Sequence, residues 1–392
     1  MSDPSNAKIL PRLGYAYLAL LTLASILLVS GSQLISTALD GDSGNYLFTA
    51  QSILDGTGIT TPSGEALTIF PPGYPLILAA IGSLGIDLTA AATIINLISI
   101  ALMVPGTYLL TRVSLGRQLL PLIAATILAT SAATIRVFSN AWTEPLFMVL
   151  MLAILILLVQ VAKKKSLSWQ VGITLGILIS FATTLRFVGL FMIPVVVVSL
   201  WIATKPKIEY PKVVATTALA LVGFLAVGLR NVSLGVPLMG ERSEGALTLQ
   251  GSLERFVRQL GVYIAPPDST SLTNVAGALL LTALLAGTWL IYIRRERNLY
   301  PVALYFLVFW GGIMWSQAST RIDVDPERLG SPAFVAVIIL GLFALASTTK
   351  IVNEQFSLRI DRQQQLLGYS LFTIIVVAVV SLNLVNSLRL IN

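Results

Sequence analysis

The sequence predicts an all-α fold, a polytopic transmembrane helix bundle of about eleven spans. Three observations predict it. Of 392 residues, 56% are hydrophobic and only 11% charged, with a mean hydropathy of +0.86, whereas soluble chains carry about 25% charged residues. Apolar runs of about twenty residues recur along the chain, each long enough to cross a hydrocarbon core of about 30 Å. Lysine-rich loops fall between alternate runs, the pattern of cytoplasmic loops in a helical membrane protein.

The runs occupy residues 13–37, 88–112, 119–138, 142–162, 168–185, 187–204, 211–229, 273–293, 300–316, 331–348 and 366–388. Lys8 and Arg12 precede the first run as in a secretory signal. The run is longer than a signal core and no small-residue cleavage site follows cleanly, so it is expected to be a retained span. Only Arg186 separates 168–185 from 187–204, which predicts a tight helical hairpin with that arginine trapped at its tip. With no repeat and no low-complexity linker, residues 1–392 are expected to form one domain, with a first outer loop at 38–87 and a second large one at 230–272.

Residues 73–85 are apolar for too few positions to cross, and fit an interfacial or re-entrant helix. If this segment does not cross, all the lysines fall on one side: Lys8, Lys163, Lys164, Lys165, Lys205, Lys207, Lys212 and Lys350. By the positive-inside rule that side is cytoplasmic, with the N-terminus inside and the C-terminus outside. The outer side then holds Arg136, Arg186, Arg230, Arg242, Arg255, Arg258, Arg321, Arg328 and Arg389 but no lysine. Topology explains fewer cations outside, but not why those that remain are all guanidinium. Arginine suits planar, bidentate contact with phosphate or carboxylate; it also snorkels well at interfaces. Most of the acids lie outside too, among them Asp40, Asp42, Glu144, Asp323, Asp325 and Glu327, which marks this as the working face.

Two outer segments read as amphipathic helices lying in the headgroup plane. Residues 44–55 place Tyr46, Ala50, Ile53 and Leu54 on one face, with Asn45, Thr49, Gln51 and Asp55 elsewhere and Gly56 as C-cap. Residues 252–264 place Leu253, Phe256, Val257, Leu260 and Ile264 together, opposite Glu254, Arg255, Arg258 and Gln259.

The chain has no histidine and no cysteine. Thiolate nucleophiles, disulfides and Cys-type zinc sites are excluded, and proton transfer falls to Asp or Glu. The net charge of +7 follows from basic cytoplasmic loops, and no nucleic-acid partner is expected.

Asp40 and Asp42, just beyond the first run, are candidate general bases, since desolvation at the edge of an apolar cavity moves a carboxylate toward a useful range. Two acids there could equally cap a helix. Glu144, in Thr143-Glu144-Pro145, sits where a span re-enters, as a cavity-facing acid or as a helix start. Arg186 at its hairpin tip needs an anion, either a carboxylate such as Glu144 or Asp42 or a ligand phosphate. Arg328, near a helix N-terminus beside Asp323, Asp325 and Glu327, could help hold a phosphate.

The order Asp42-Ser43-x-x-Tyr46-x-x-x-Ala50, Gly56-x-Gly58, then Phe70-Pro71-Pro72-Gly73-Tyr74-Pro75 resembles the first outer loop of GT-C-type membrane glycosyltransferases. That group contains the protein O-mannosyltransferases and lipid A aminoarabinose transferases. Thr143-Glu144-Pro145-Leu146-Phe147, Leu185-Arg186-Phe187-Val188-Gly189-Leu190, Arg230-Asn231 with Gly240-Glu241-Arg242, and Glu327-Arg328-Leu329-x-x-Pro332 are similar to its later landmarks.

The resemblance implies inverting transfer of a sugar from a polyprenyl-phosphate donor to an acceptor hydroxyl on the extracytoplasmic face of a bacterial cytoplasmic membrane. The acceptor would be a glycan, lipid or protein. Asp42, with Asp40 as rival, would be the base. Arg186, Arg242, Arg328 and Arg230 would bind the donor phosphate, with Glu144, Tyr46, Tyr74 and Asp325 binding substrate or supporting the site. Many relatives carry a second acid where Ser43 stands, so neither an acidic pair nor a metal site carries over directly; a divalent metal stays open and no other cofactor is implied. The competing class is a transporter or flippase of an anionic lipid or solute, which would share the outer arginines but calls for inverted repeats and helices broken at the midplane. A non-catalytic scaffold would leave the concentration of acids and arginines without a role.

Overall fold

The computed structural model describes residues 6–35, 41–116, 119–245, 247–265, 269–320, 326–355 and 381. Helices α1 (Asn6–Ile35), α2 (Gly41–Leu54), α3 (Gly73–Gly82) and α4 (Leu88–Leu115) come first. They are followed by α5 (Leu119–Thr130), α6 (Ala132–Phe138), α7 (Glu144–Lys164), α8 (Trp169–Leu185), α9 (Met192–Thr204) and α10 (Tyr210–Ser233). The last are α11 (Leu249–Val262), α12 (Thr270–Arg294), α13 (Tyr300–Ser319), α14 (Pro326–Gly330) and α15 (Phe334–Gln355). Among the described residues there is no strand, only two isolated bridges, and eight helices, or nine counting one bent pair, are long and apolar enough to cross a membrane. The expected span at 366–388 lies outside the described residues. An exposed apolar face is the outside of such a bundle, and α1 shows Leu20, Leu23 and Leu27 there while α12 shows Leu279, Leu285 and Trp289.

Two expectations about the spans change in detail. The run 119–138 is two helices bent by 58°. Ser131 is extended at the break and its side chain accepts from the Thr134 amide, so it starts a new helix where neither proline nor glycine marks one. The hairpin at Arg186 is real in the chain path, since Arg186 is extended between α8 and a single 3-10 turn at Phe187–Phe191. Its two arms do not pack as a pair, however. α8 lies on α10 and α9 lies on α7 and α13. The reason is small residues: a Cβ on Gly223 would stand 2.0 Å from the Ser180 carbonyl oxygen, and one on Gly176 would stand 2.6 Å from the Leu219 Cβ, so the α8 and α10 backbones meet closely.

The two segments expected to lie in the headgroup plane, α2 and α11, are packed against the bundle. In α2 the buried residues are Ser43, Tyr46, Thr49, Ala50 and Ser52, whereas Leu54 is exposed. The loop after α2 folds back and needs donors: Thr49 donates to the Thr60 carbonyl at 2.8 Å, and Ser52 to the Gly58 carbonyl at 2.8 Å. Gly56 does end the helix in the left-handed region, with φ 75°. In α11, Gln259 is buried with Phe256 and Leu260 while Leu253 is exposed. That helix contacts α12, α13 and α14 together, so more of its circumference is covered than a surface stripe would be.

The segment 73–85 begins with α3, whose ten residues span about 15 Å, half of what a crossing requires. Gly73 seats it: a Cβ there would lie 2.4 Å from the Thr184 carbonyl oxygen. The Pro-Pro-Gly run thus brings α3 against the end of α8, beside Arg186. At the other helix ends, Lys212 donates to the Leu167 carbonyl and pairs with Glu209, tying the loop that follows α7 to the start of α10.

Candidate functional site

Segments distant in sequence meet around a cavity of about 440 Å³. The first two turns of α2 supply Asp42 and Tyr46, and the break between α8 and the 3-10 turn supplies Arg186 and Phe187. The segment after α10 supplies Arg242, and α14 supplies Arg328. Val188, Leu190, Phe191 and Ile313 make an apolar wall, and Trp315, largely exposed, stands on the same side.

Glu144 is the hub of the charged end. It opens α7, is fully buried at 0% exposure, and accepts from two guanidinium groups. Arg186 Nη1 pairs with Glu144 Oε1 and donates to Thr143 Oγ1 at 2.8 Å. Arg328 Nε reaches the same Oε1 at 2.5 Å, while its Nη1 stands 2.6 Å from Asp42 Oδ2. The Arg328 guanidinium also lies over the Trp142 ring at 4.7 Å, a cation–π contact. A buried carboxylate persists only when charge and hydrogen bonds compensate its desolvation, and here two arginines supply both.

Arg242 differs. It donates to the Ile69 carbonyl at 2.9 Å and to the Met239 carbonyl at 3.3 Å, and its guanidinium lies 5.7 Å from the Phe187 ring centre. Among the described residues no carboxylate pairs with it. Burial, and then the neighbouring Arg186 charge, lower its pKa from the usual arginine range. Among the described residues, Asp42 and Glu144 thus share the cavity's charged end with three guanidinium groups, one more positive charge than negative.

Tyr46 and Tyr74 pack edge to face at 5.5 Å between ring centres, and Phe70 meets Tyr46 at the same distance. Tyr46 borders the cavity, whereas Tyr74 is wholly enclosed behind it. Burial first, and Asp42 second, push the Tyr46 phenol far above its ordinary range, and burial does the same to Tyr74. Both are neutral packing groups.

Of the residues singled out in the sequence, Asp42, Glu144, Arg186, Arg242, Arg328 and Tyr46 come together. Arg230 does not join them. Its guanidinium holds the Leu67 carbonyl, a loop acceptor that needs a donor, at 2.8 Å, and adds a longer contact of 3.5 Å to the Ile59 carbonyl, which already accepts from the Leu67 amide at 3.0 Å. Asp40 and Asp325 lie outside the described residues, as do Asp323 and the Glu327 side chain. Among the described residues no group of three acids is placed to hold a metal ion, and both site carboxylates are bonded to Arg328. The roof of the cavity was not legible in the sequence. Arg230, Asn231 and Arg242 hold the consecutive carbonyls of Leu67, Thr68 and Ile69, and Glu244 bridges to Thr320 at the end of α13. Gly240 allows this approach, since its φ is 77° and a Cβ would stand 2.4 Å from the Thr68 carbonyl oxygen.

No protein-family model and no curated protein matches the sequence. Solved structures do. ArnT from Cupriavidus metallidurans bound to undecaprenyl phosphate superposes with a TM-score of 0.59 at 12% identity, over 96% of this chain and 76% of that one. Its apo state gives 0.58 at 13% identity, over 87% and 62%. The archaeal oligosaccharyltransferase AglB from Archaeoglobus fulgidus, in complex with an inhibitory peptide and a dolichol-phosphate, gives 0.58 at 12% identity, over 96% and 56%. The fold is GT-C-like. The chain spans 62% of the apo ArnT chain and 56% of AglB. At this identity the likeness concerns the path of the backbone, and the GT-C-like fold is what carries α2, the α8 break and α14 to one cavity.

Proposed function

We propose that this chain is a membrane glycosyltransferase that moves a sugar from a polyprenyl-phosphate donor to an acceptor hydroxyl, with inversion. The observation that carries the reading is one cavity with an apolar wall, an arginine with no carboxylate partner among the described residues, and a carboxylate held in place by another arginine. A polyprenyl phosphate has matching parts. Its isoprenoid chain suits the wall of Val188, Leu190, Phe191 and Ile313, and its phosphate suits Arg242 with Arg186 beside it. The structures of ArnT with undecaprenyl phosphate and AglB with a dolichol-phosphate add support from proteins of similar fold.

In the proposed reaction the acceptor oxygen attacks the anomeric carbon from the face opposite the phosphate. Its proton passes to Asp42 as the new C–O bond forms. The bond from the anomeric carbon to the phosphate oxygen breaks, and its electron pair stays on that oxygen. Arg242 and Arg186 stabilise the charge that develops there. Arg328 engages Asp42 Oδ2, which leaves Oδ1 for the acceptor. The lysine-bearing helix ends would face the cytoplasm and the cavity the outside.

The test uses the purified full chain with polyprenyl-phosphate-linked radiolabelled sugars and membrane extract as acceptor source. Formation of a labelled glycosidic product, lost in Asp42→Asn while undecaprenyl phosphate still binds by native mass spectrometry, is expected. Full transfer by Asp42→Asn would remove the proposed base. Binding of the lipid without any glycosidic product from the wild type would favour transport of an anionic lipid instead.

A further inference from the structure

A second cavity, of about 650 Å³, lies between the first outer loop and the segment after α10, within the about 300–1,000 Å³ typical of small-molecule sites. Its polar lining is Asn45, Thr61, Ser63, Glu65, Thr68 and Glu241. Among the described residues both charged side chains there are carboxylates and no cation lines it, whereas three arginines and one carboxylate line the first cavity. Carboxylates, an amide and hydroxyls accept and donate to neutral hydroxyl groups, while two acids repel an anion.

The two cavities share a wall. Ile69 and Phe70 line both, and the carbonyls just before Phe70 are the ones held by Arg230, Asn231 and Arg242. They also share α2. Asp42 lines the first cavity and Asn45 the second, and residues three apart on a helix are surface neighbours with Cβ atoms about 5–6 Å apart. A ligand beside Asn45 therefore ends about one residue's width from Asp42.

From this juxtaposition we infer that the second cavity is the acceptor groove, and that the acceptor is a neutral, polyhydroxylated molecule, a carbohydrate chain. The inference rests on the glycosyl-transfer reading and adds the acceptor's chemical class. Glu65 and Glu241 accept from sugar hydroxyls, Asn45 orients the terminal unit, and its attacking hydroxyl is presented to Asp42.

The experiment places the full-length protein in lipid nanodiscs on an array of neutral oligosaccharides and their sulfated counterparts. The wild type is expected to retain neutral oligosaccharides in preference to sulfated ones. Glu65→Lys combined with Glu241→Lys should weaken that retention about tenfold, the scale of one charge-assisted hydrogen bond. Both glutamates are exposed, so folding is preserved. Preference for sulfated oligosaccharides, no retention of any, or retention indifferent to the double substitution would each overturn the groove. Undecaprenyl phosphate affinity is measured alongside and should be unchanged in the variant. Its absence in the wild type would count against the donor reading alone, and the array would still decide whether the groove binds carbohydrate.

Discussion

Asp42 and Glu144, from α2 and α7, are joined through one guanidinium: Arg328 places Nη1 2.6 Å from Asp42 Oδ2 and Nε 2.5 Å from Glu144 Oε1. The buried acid thereby fixes the arginine, and the arginine fixes the acid that borders the cavity. A carboxylate so restrained keeps one oxygen aimed while the other is engaged.

Removing that restraint should show first as lost stability. Glu144→Gln removes the one carboxylate paired with Arg186 among the described residues and one of the two that Arg328 engages, and breaking a buried pair from one side costs about 3–5 kcal/mol. Thermal unfolding of the detergent-solubilised variant should report a clear drop in Tm, and an unchanged Tm would show that the pairs contribute no net stability.

Asp42→Asn should act on rate rather than on folding. Loss of a general base lowers turnover by about 10²–10⁴-fold. Undecaprenyl phosphate affinity and Tm should stay near wild type, because Asn preserves the volume and can still accept from Arg328.

Arg242 should govern donor binding. Hydrogen bonds to a charged group contribute about 1.5–3 kcal/mol, so Arg242→Gln should weaken undecaprenyl phosphate binding by roughly ten- to a hundredfold. Arg242→Lys should recover only part of it, since an ammonium keeps the charge but not the planar fork. Titration by native mass spectrometry distinguishes the three proteins.

The pH–rate profile should owe nothing to Tyr46. Burial and Asp42 raise its phenol far above the working range, so the group stays protonated and neutral from acid to moderately alkaline pH. Tyr46→Phe should keep the same profile shape, and a lost alkaline limb would contradict this.

Gly73→Ala should damage the site from outside it. The added Cβ would meet the Thr184 carbonyl oxygen at 2.4 Å, and overpacking of this kind costs about 1–3 kcal/mol. Because Thr184 directly precedes Leu185 and Arg186, the shift should also lower donor affinity, which the same titration detects.

The helical membrane class and the short crossing-incompetent segment after residue 73 were legible in composition and run length. Those properties follow from bilayer thickness and from the cost of charge in hydrocarbon, which act on each stretch of sequence separately. Asp42, Glu144, Arg186 and Arg328 could be named from their positions at the ends of those runs, and Arg242 from the family resemblance. Their partners could not. That Glu144 serves Arg186 and Arg328 together, that Arg242 holds the Ile69 carbonyl, and that Arg230 fastens a loop instead of facing the cavity depend on contacts across 43 to 184 positions of chain. The burial of Gln259 likewise depends on the helices packed around α11. Local periodicity describes one helix against an average surrounding, whereas an arginine's role is set by whichever acceptor the packed neighbours leave within its reach.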